Sequence, residues 1–256
     1  LAGSQAAGTF AAWGTPSVKF HQFRGALSGL MAALLAEQDF VATREFLSAP
    51  DGGFYPTYSG SPARDAATAA LGKHWELQQI ALRPSPTAAA SQRLVTALFD
   101  LIRSHDLKAE RTQRLRLRVS PACFEAYKNR RIYNGKWEAS ASLHYTAAVV
   151  LHDRELWLDQ FEPKRYEDAA LRHYSSECVE LLGDTDLTAE QAIVEAYMHD
   201  GTVLSAQCKA SKGTPENPLT RAEVEEKFRK GATGRLTHAK AKRALHRVVN
   251  LENLKS

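Results

Sequence analysis

Residues Arg114-Leu115-Arg116-Leu117-Arg118-Val119 alternate a cation with an aliphatic side chain at a strict period of two. A β-strand puts successive side chains on opposite faces, so this run predicts a sheet with one buried and one cationic face. Helical spacing dominates on either side of it. Leu27, Leu30, Met31, Leu34 and Leu35 recur at helical intervals, and so do Leu94, Val95, Leu98, Leu101 and Ile102. The chain therefore combines helices with a sheet, and its middle differs from its ends.

Small residues around the first helical run predict close helix–helix packing. A Gly/Pro/Tyr-rich loop over residues 51–62 ends that block. Residues 71–82 form a short segment holding Trp75, followed by an Arg-Pro-Ser-Pro turn at 83–86. Residues 139–151 read as one buried helix and 178–182 as a strand. Residues 193–198 and 202–208 flank His199-Asp200-Gly201, whose Asp-Gly step is a hairpin signal. Near the end, Thr220-x-x-Glu223 is a capping box, with Leu219 and Val224 placed as a hydrophobic staple. It opens a helix running to about Lys230, and a second helix follows over 237–249. The fold class expected is mainly α with an inserted α+β unit, rather than two consecutive domains.

Composition narrows the function. With 256 residues, the chain has room for one or two domains. A hydrophobic share of 44% and a charged share of 24% exclude a disordered chain, a collagen and a small disulfide scaffold. A net charge of +4 permits an anionic partner without demanding one. Cys123, Cys178 and Cys208 are odd in number and widely spaced, which points to neither a disulfide framework nor a CxxC metal site. A reducing, cytoplasmic setting is expected. The longest nearly apolar stretch, 29–36, is far short of the ~18 residues that span a bilayer, so no membrane association is expected. The first residues carry no basic run ahead of their apolar part, unlike a signal peptide. The chain opens on Leu1 rather than Met, which reads as a fragment or a processed product.

Several residues could carry chemistry. Lys19, His21 and Arg24 stand just before the first strong helix. A loop feeding a helix N-terminus favours anions, and His21 can move a proton near neutral pH. The competing reading is a solvated cationic turn. Arg83, in its proline-stiffened turn, has the planar fork that suits a carboxylate, or is simply an exposed loop arginine. Tyr145 and His144 lie in the small-residue helix beside Ser142, where a core ring with one hydrogen bond is the alternative to a catalyst. HxxxH, HExxH and CxxC are absent, so no metal is expected, and neither a dinucleotide nor a P-loop motif is present. Residues 227–247 hold eight Lys/Arg and no acid. Phe228 is the only aromatic ring interleaved with them, so a solvated helix face outweighs nucleic-acid binding.

Taken in order, the stretches AGSQAAGTFAAWG, KFHQFRGALSGLMAALLAEQDF, the Gly-Phe-Tyr loop, LGKHWELQQIALRPSP, WEASASLHYTAAVVL and KASKGTPENPLTRAEVEEKF span nearly the whole chain. In that order and spacing it resembles the later half of the MmgE/PrpD family, which includes 2-methylcitrate dehydratase, cis-aconitate decarboxylase and iminodisuccinate epimerase. The resemblance implies a helical domain interrupted by an α+β lid, with the N-terminal part of the helical domain absent. Residues 1–76 would then be its later part, 77–212 the lid and 213–256 its closing helices. It also implies a lyase or isomerase that acts on a small polycarboxylate without metal or organic cofactor. The site would lie between helical domain and lid, in a homodimer or in a complex with a chain supplying the N-terminal half.

The same resemblance implies roles for particular residues. His21 matches the family's histidine, and Lys19 stands one residue closer to it than the family's lysine does. Tyr145 and Ser142 match an SxxY pattern. Arg83 stands where a lysine is usual, and the histidines that normally follow are absent. The implied catalytic set is His21, Lys19 and Tyr145, with Arg83, Arg24 and Ser142 binding substrate. The missing histidines favour a second reading, a non-catalytic subunit or pseudoenzyme that supplies lid and dimer surface.

Overall fold

The computed structural model describes residues 15–59 and 68–253. The AGSQAAGTFAAWG stretch lies outside them. The chain divides into two compact units, Leu1–Glu76 and Leu77–Ser256.

In the first unit, α1 (Ser17–Glu37) is a 21-residue helix that buries only Ser28 and Ala32. Its start corrects one expectation. Lys19, His21 and Arg24 lie on its first two turns, not on a loop ahead of it. Pro16 at the N-cap makes this possible, because its fixed φ is already helical and its missing N–H is not needed there. The Gly/Pro/Tyr segment is likewise not all loop. It contains the short helix α2 (Phe54–Tyr58), entered from Gly53, where an added Cβ would sit 2.3 Å from the Ala49 carbonyl oxygen.

In the second unit, four strands form a mixed sheet in the order β2-β1-β3-β4. The expected strand is β1 (Thr112–Val119), and the sheet places it in the interior with β2 (Val179–Gly183), β3 (Ala192–Met198) and β4 (Val203–Cys208). β1 runs parallel to β2, with Leu117 opposite Leu181, and antiparallel to β3, with Leu117 opposite Val194. β3 and β4 form the expected hairpin, turned at Gly201 with φ +87°.

The alternation works as the sequence predicts. Leu115, Leu117 and Val119 are buried with Val179, Leu181, Val194 and Ala196. On the other face Arg116 pairs with Glu180 at 2.8 Å, and Arg118 with Asp184 at 2.5 Å and Glu195 at 3.3 Å. Arg114 lies 4.1 Å over the Tyr197 ring.

Two helices cover the apolar face, α3 (Ala89–His105) against β3 and β4, and α6 (Leu143–Asp153) against α3 and β2. Each buries nine residues. Between them in sequence come α4 (Pro121–Tyr127) and α5 (Lys136–Ala141). The buried helix expected over 139–151 is therefore two helices. Ser142 takes an extended conformation between them and caps α6 by accepting from the Tyr145 N–H. The short helices α7 (Pro163–Tyr166) and α8 (Ala169–His173) lead through a π-turn at Tyr174–Cys178 into β2.

The chain ends in α9 (Arg221–Ala232) and α10 (His238–Val249). The capping box opens α9 as expected. Thr220 N–H donates to Glu223 at 2.7 Å, and Glu223 N–H donates to the Thr220 hydroxyl at 3.3 Å. Among the described residues no helix is long and apolar enough to cross a membrane.

Candidate functional site

A cleft of about 720 Å³ opens within the second unit, between α3, α9 and the turn that follows α6. That volume lies in the usual range for small-molecule sites. Val95, Phe99, Leu156, Trp157 and Leu219 give it an apolar lining. Arg103, Arg154, Lys212, Lys227 and Lys230 supply cations, and Asp100, Asp153, Glu155, Glu223 and Glu226 supply acids.

The elements explain why these side chains meet. On α9, Glu223, Glu226, Lys227 and Lys230 are three and four residues apart and so share one face. Lys230 reaches Glu155 at 2.8 Å, and Lys212 reaches Glu223 at 3.0 Å. These pairs tie α9 to the turn after α6 and to the segment after β4.

One loop of the cleft is held from two sides. Leu82 N–H donates to the Gly213 carbonyl at 2.8 Å, and Lys227 Nζ donates to the Arg83 carbonyl at 2.6 Å. Gly213 has φ +96°, and a Cβ there would lie 1.9 Å from the Leu82 oxygen, so only glycine fits. Pro84 and Ser85 then line the cleft. The Arg83 guanidinium is exposed, donates to the Thr87 carbonyl at 3.4 Å, and has no carboxylate partner among the described residues.

Of the other residues singled out from the sequence, Ser142 and Tyr145 share the second unit with this cleft but do not line it. Lys19, His21 and Arg24 belong to α1 in the first unit. Lys19 and Arg24 are exposed and His21 is half-buried. Ser142 and Tyr145 lie in the core of the second unit, both 0% exposed. The Tyr145 ring packs 4.8 Å from Tyr133, and its hydroxyl donates to the Gln160 carbonyl. Burial pushes the Tyr145 pKa well above the ordinary phenol value, so the phenol stays protonated.

Beside Tyr145, His144 is 1% exposed, and its Nδ1 has no hydrogen-bond partner among the described residues. Burial, reinforced by the charge of Arg131, lowers its pKa to about 4, so the imidazole is neutral near pH 7. Around it Thr87 donates to the Ser140 carbonyl at 2.7 Å and lies 3.4 Å from the Thr146 hydroxyl. These contacts lock the start of α3 against the α5–α6 break.

Sequence reasoning missed Lys227, Lys230 and Trp157. The two lysines were hidden inside the basic run 227–247. Their signal was the i, i+3 and i, i+4 interleaving with Glu223 and Glu226, which marks one helix face. Trp157 had no such signal, because it lies on the cleft through the turn geometry after α6. Among the described residues, no group of three or more His, Cys, Asp or Glu is placed to hold a metal ion.

Helices laid on one face of a mixed sheet, with a cleft walled by α3, α9 and the turn after α6, define the domain. The profile of the MmgE/PrpD C-terminal domain matches residues 86–253. The chain belongs to the MmgE/PrpD family. It is similar to the cis-aconitate decarboxylase-like protein oryM of Aspergillus oryzae, 26% identical over 274 aligned positions that cover 98% of this chain and 56% of that protein. The chain thus spans little more than half the length of that relative.

Proposed function

We propose that this chain carries the lid-side part of a lyase or isomerase that acts on a small polycarboxylate by acid/base chemistry. The observation that carries the reading is membership of the MmgE/PrpD family together with likeness to a cis-aconitate decarboxylase-like protein. The cleft supports it, since arginine and lysine are the side chains that hold carboxylates. Dehydration and epimerisation of such acids begin with loss of a proton next to a carboxylate, and decarboxylation reaches a like carbanion by loss of CO2 and is completed by a proton. They differ in what leaves, which pocket shape decides.

In this reading Arg83 and the cleft lysines hold carboxylates. His21 exchanges the proton, with Lys19 and Arg24 beside it on α1. Tyr145 and Ser142 brace the α5–α6 break, and the Tyr145 phenol is a proton donor to an enolate-like intermediate. The oligomer is a homodimer, or a complex with a polypeptide that supplies the remaining length of the relative.

A second reading, a non-catalytic subunit of the same fold, is favoured by two specific features. The Tyr145 hydroxyl is already spent on the Gln160 carbonyl, and no histidine follows Arg83 in its turn. The test is to incubate the chain, alone and with a polypeptide matching the rest of the relative, with cis-aconitate and with 2-methylcitrate, and to follow products by NMR. Turnover that falls at least about a hundredfold in both His21→Ala and Tyr145→Phe, the scale expected of general acid/base groups, supports the enzyme reading. Turnover untouched by both variants removes these residues from the site. Turnover supplied entirely by the second polypeptide establishes the non-catalytic one.

A further inference from the structure

The cleft contains five cations, and four of them are already neutralised. Arg103 pairs with Asp100, Arg154 with Asp106 at 2.7 Å, Lys212 with Glu223 at 3.0 Å and Lys230 with Glu155 at 2.8 Å. The lining acids are paired as well, the remaining two being Asp153 with Arg165 and Glu226 with Arg229 at 3.6 Å. Lys227 is the exception. Among the described residues its ammonium meets no carboxylate, and its bond goes to the neutral carbonyl of Arg83 at 2.6 Å.

We propose that Lys227 is the anion anchor of this cleft, binding one carboxylate of the ligand while its bond to the Arg83 carbonyl holds the Arg83 loop in place. An ammonium has three donors, and the carbonyl takes one, which leaves two for a carboxylate. A ligand anion seated there meets a charge that no acid offsets, whereas every other lining cation is already neutralised by a carboxylate. The rest of the wall, Phe99, Leu156 and Trp157 among it, suits an apolar or unsaturated carbon skeleton. The ligand class is therefore a small carboxylic acid with one carboxylate at Lys227 and its carbon chain on the aromatic wall. This deepens the polycarboxylate reading above, on which it rests for the ligand class only.

The experiment is calorimetric titration of the full chain with cis-aconitate, using its trimethyl ester as the uncharged control. Wild type binds the acid and not the ester. Lys227→Met and Lys227→Gln each weaken binding by about tenfold or more, the scale of one charge-assisted hydrogen bond, and Lys227→Arg stays within about threefold because the charge is kept. Lys242→Met on α10, outside the cleft, leaves affinity unchanged and so excludes a general charge effect. Lys227 is exposed, and circular dichroism checks that each variant is folded. Equal binding by wild type and both neutral variants overturns the proposal, as does equal binding of acid and ester or no binding of the acid by wild type. Binding that depends on Lys227 without turnover by any combination of chains overturns the lyase reading and leaves the anchor standing.

Discussion

Helices α1 and α3 carry the same kind of sequence signal and meet different fates. Both repeat aliphatic residues at helical spacing, and both are helices. α3 buries nine residues against β3, β4 and α6, with Leu98 1% exposed. α1 buries Ser28 and Ala32 alone, and Leu30 is 59% exposed. Gly25 and Gly29 on α1 have nothing within 4 Å of an added Cβ. Spacing is therefore enough to specify a helix, because it acts through local geometry. Burial needs a second surface, which α3 finds in the sheet and α1 does not find among the described residues. The chain covers 56% of the length of its Aspergillus relative, and the apolar residues of α1 stay exposed among the described residues.

The comparison breaks most directly at matched leucines. Leu98→Ala empties a fully buried position on α3, the helix that packs on the sheet and α6, and its expected cost is roughly 3–5 kcal/mol of unfolding free energy. Leu30→Ala leaves no cavity, and its expected cost is below about 1 kcal/mol. Urea denaturation of the full chain measures both. Equal losses would mean that α1 is packed as tightly as α3.

A smaller effect probes the well-packed region at its weakest point. His144 is held neutral by burial, with its pKa lowered from 6.5 to about 4. Between those values the unfolded chain binds a proton that the folded chain refuses. Stability from this group is therefore complete above about pH 6.5, falls as the pH drops, and is lost by about pH 4. The whole change is roughly 3 kcal/mol. His144→Phe removes the titration and the orphaned Nδ1 together, so its stability curve between pH 4 and 7 should be flatter than the wild type's by that amount. Parallel curves would show that the imidazole is solvated, and that the α5–α6 break is open rather than sealed.

What could be read in advance follows the same division between local and long-range physics. The β1 alternation, the Asp200-Gly201 hairpin and the Thr220–Glu223 box are each complete within a few residues, and each forms where the pattern puts it. The α5–α6 break was missed because Ser142 sits in an apolar, helix-favouring run. Its extended conformation is stabilised by the Thr87–Ser140 contact, which joins residues 53 apart in sequence. The site was harder still. Family motifs drew attention to His21, Arg83 and Tyr145, but the cleft is built from α9, α3 and the turn after α6, which carry no common motif. Lys227 becomes distinctive only when the partners of the other four cations are known, and three of those partners lie on other elements.

The smallest effect is also the sharpest test of the unpartnered helix. Gly29 lies inside α1, and glycine in a helix interior costs about 1 kcal/mol relative to alanine. With open space around its added Cβ, Gly29→Ala should slow amide exchange in α1 of the chain alone by the equivalent of about 0.5–1 kcal/mol. A polypeptide that packs a helix closely on this face needs the room that the missing Cβ leaves. The same substitution should then weaken its association while the isolated chain gains order. Slower exchange without any loss of association would place such a partner on the leucine face, away from Gly29. Faster exchange in the isolated chain would mean that the glycine face is already covered, and the contrast between α1 and α3 would fall.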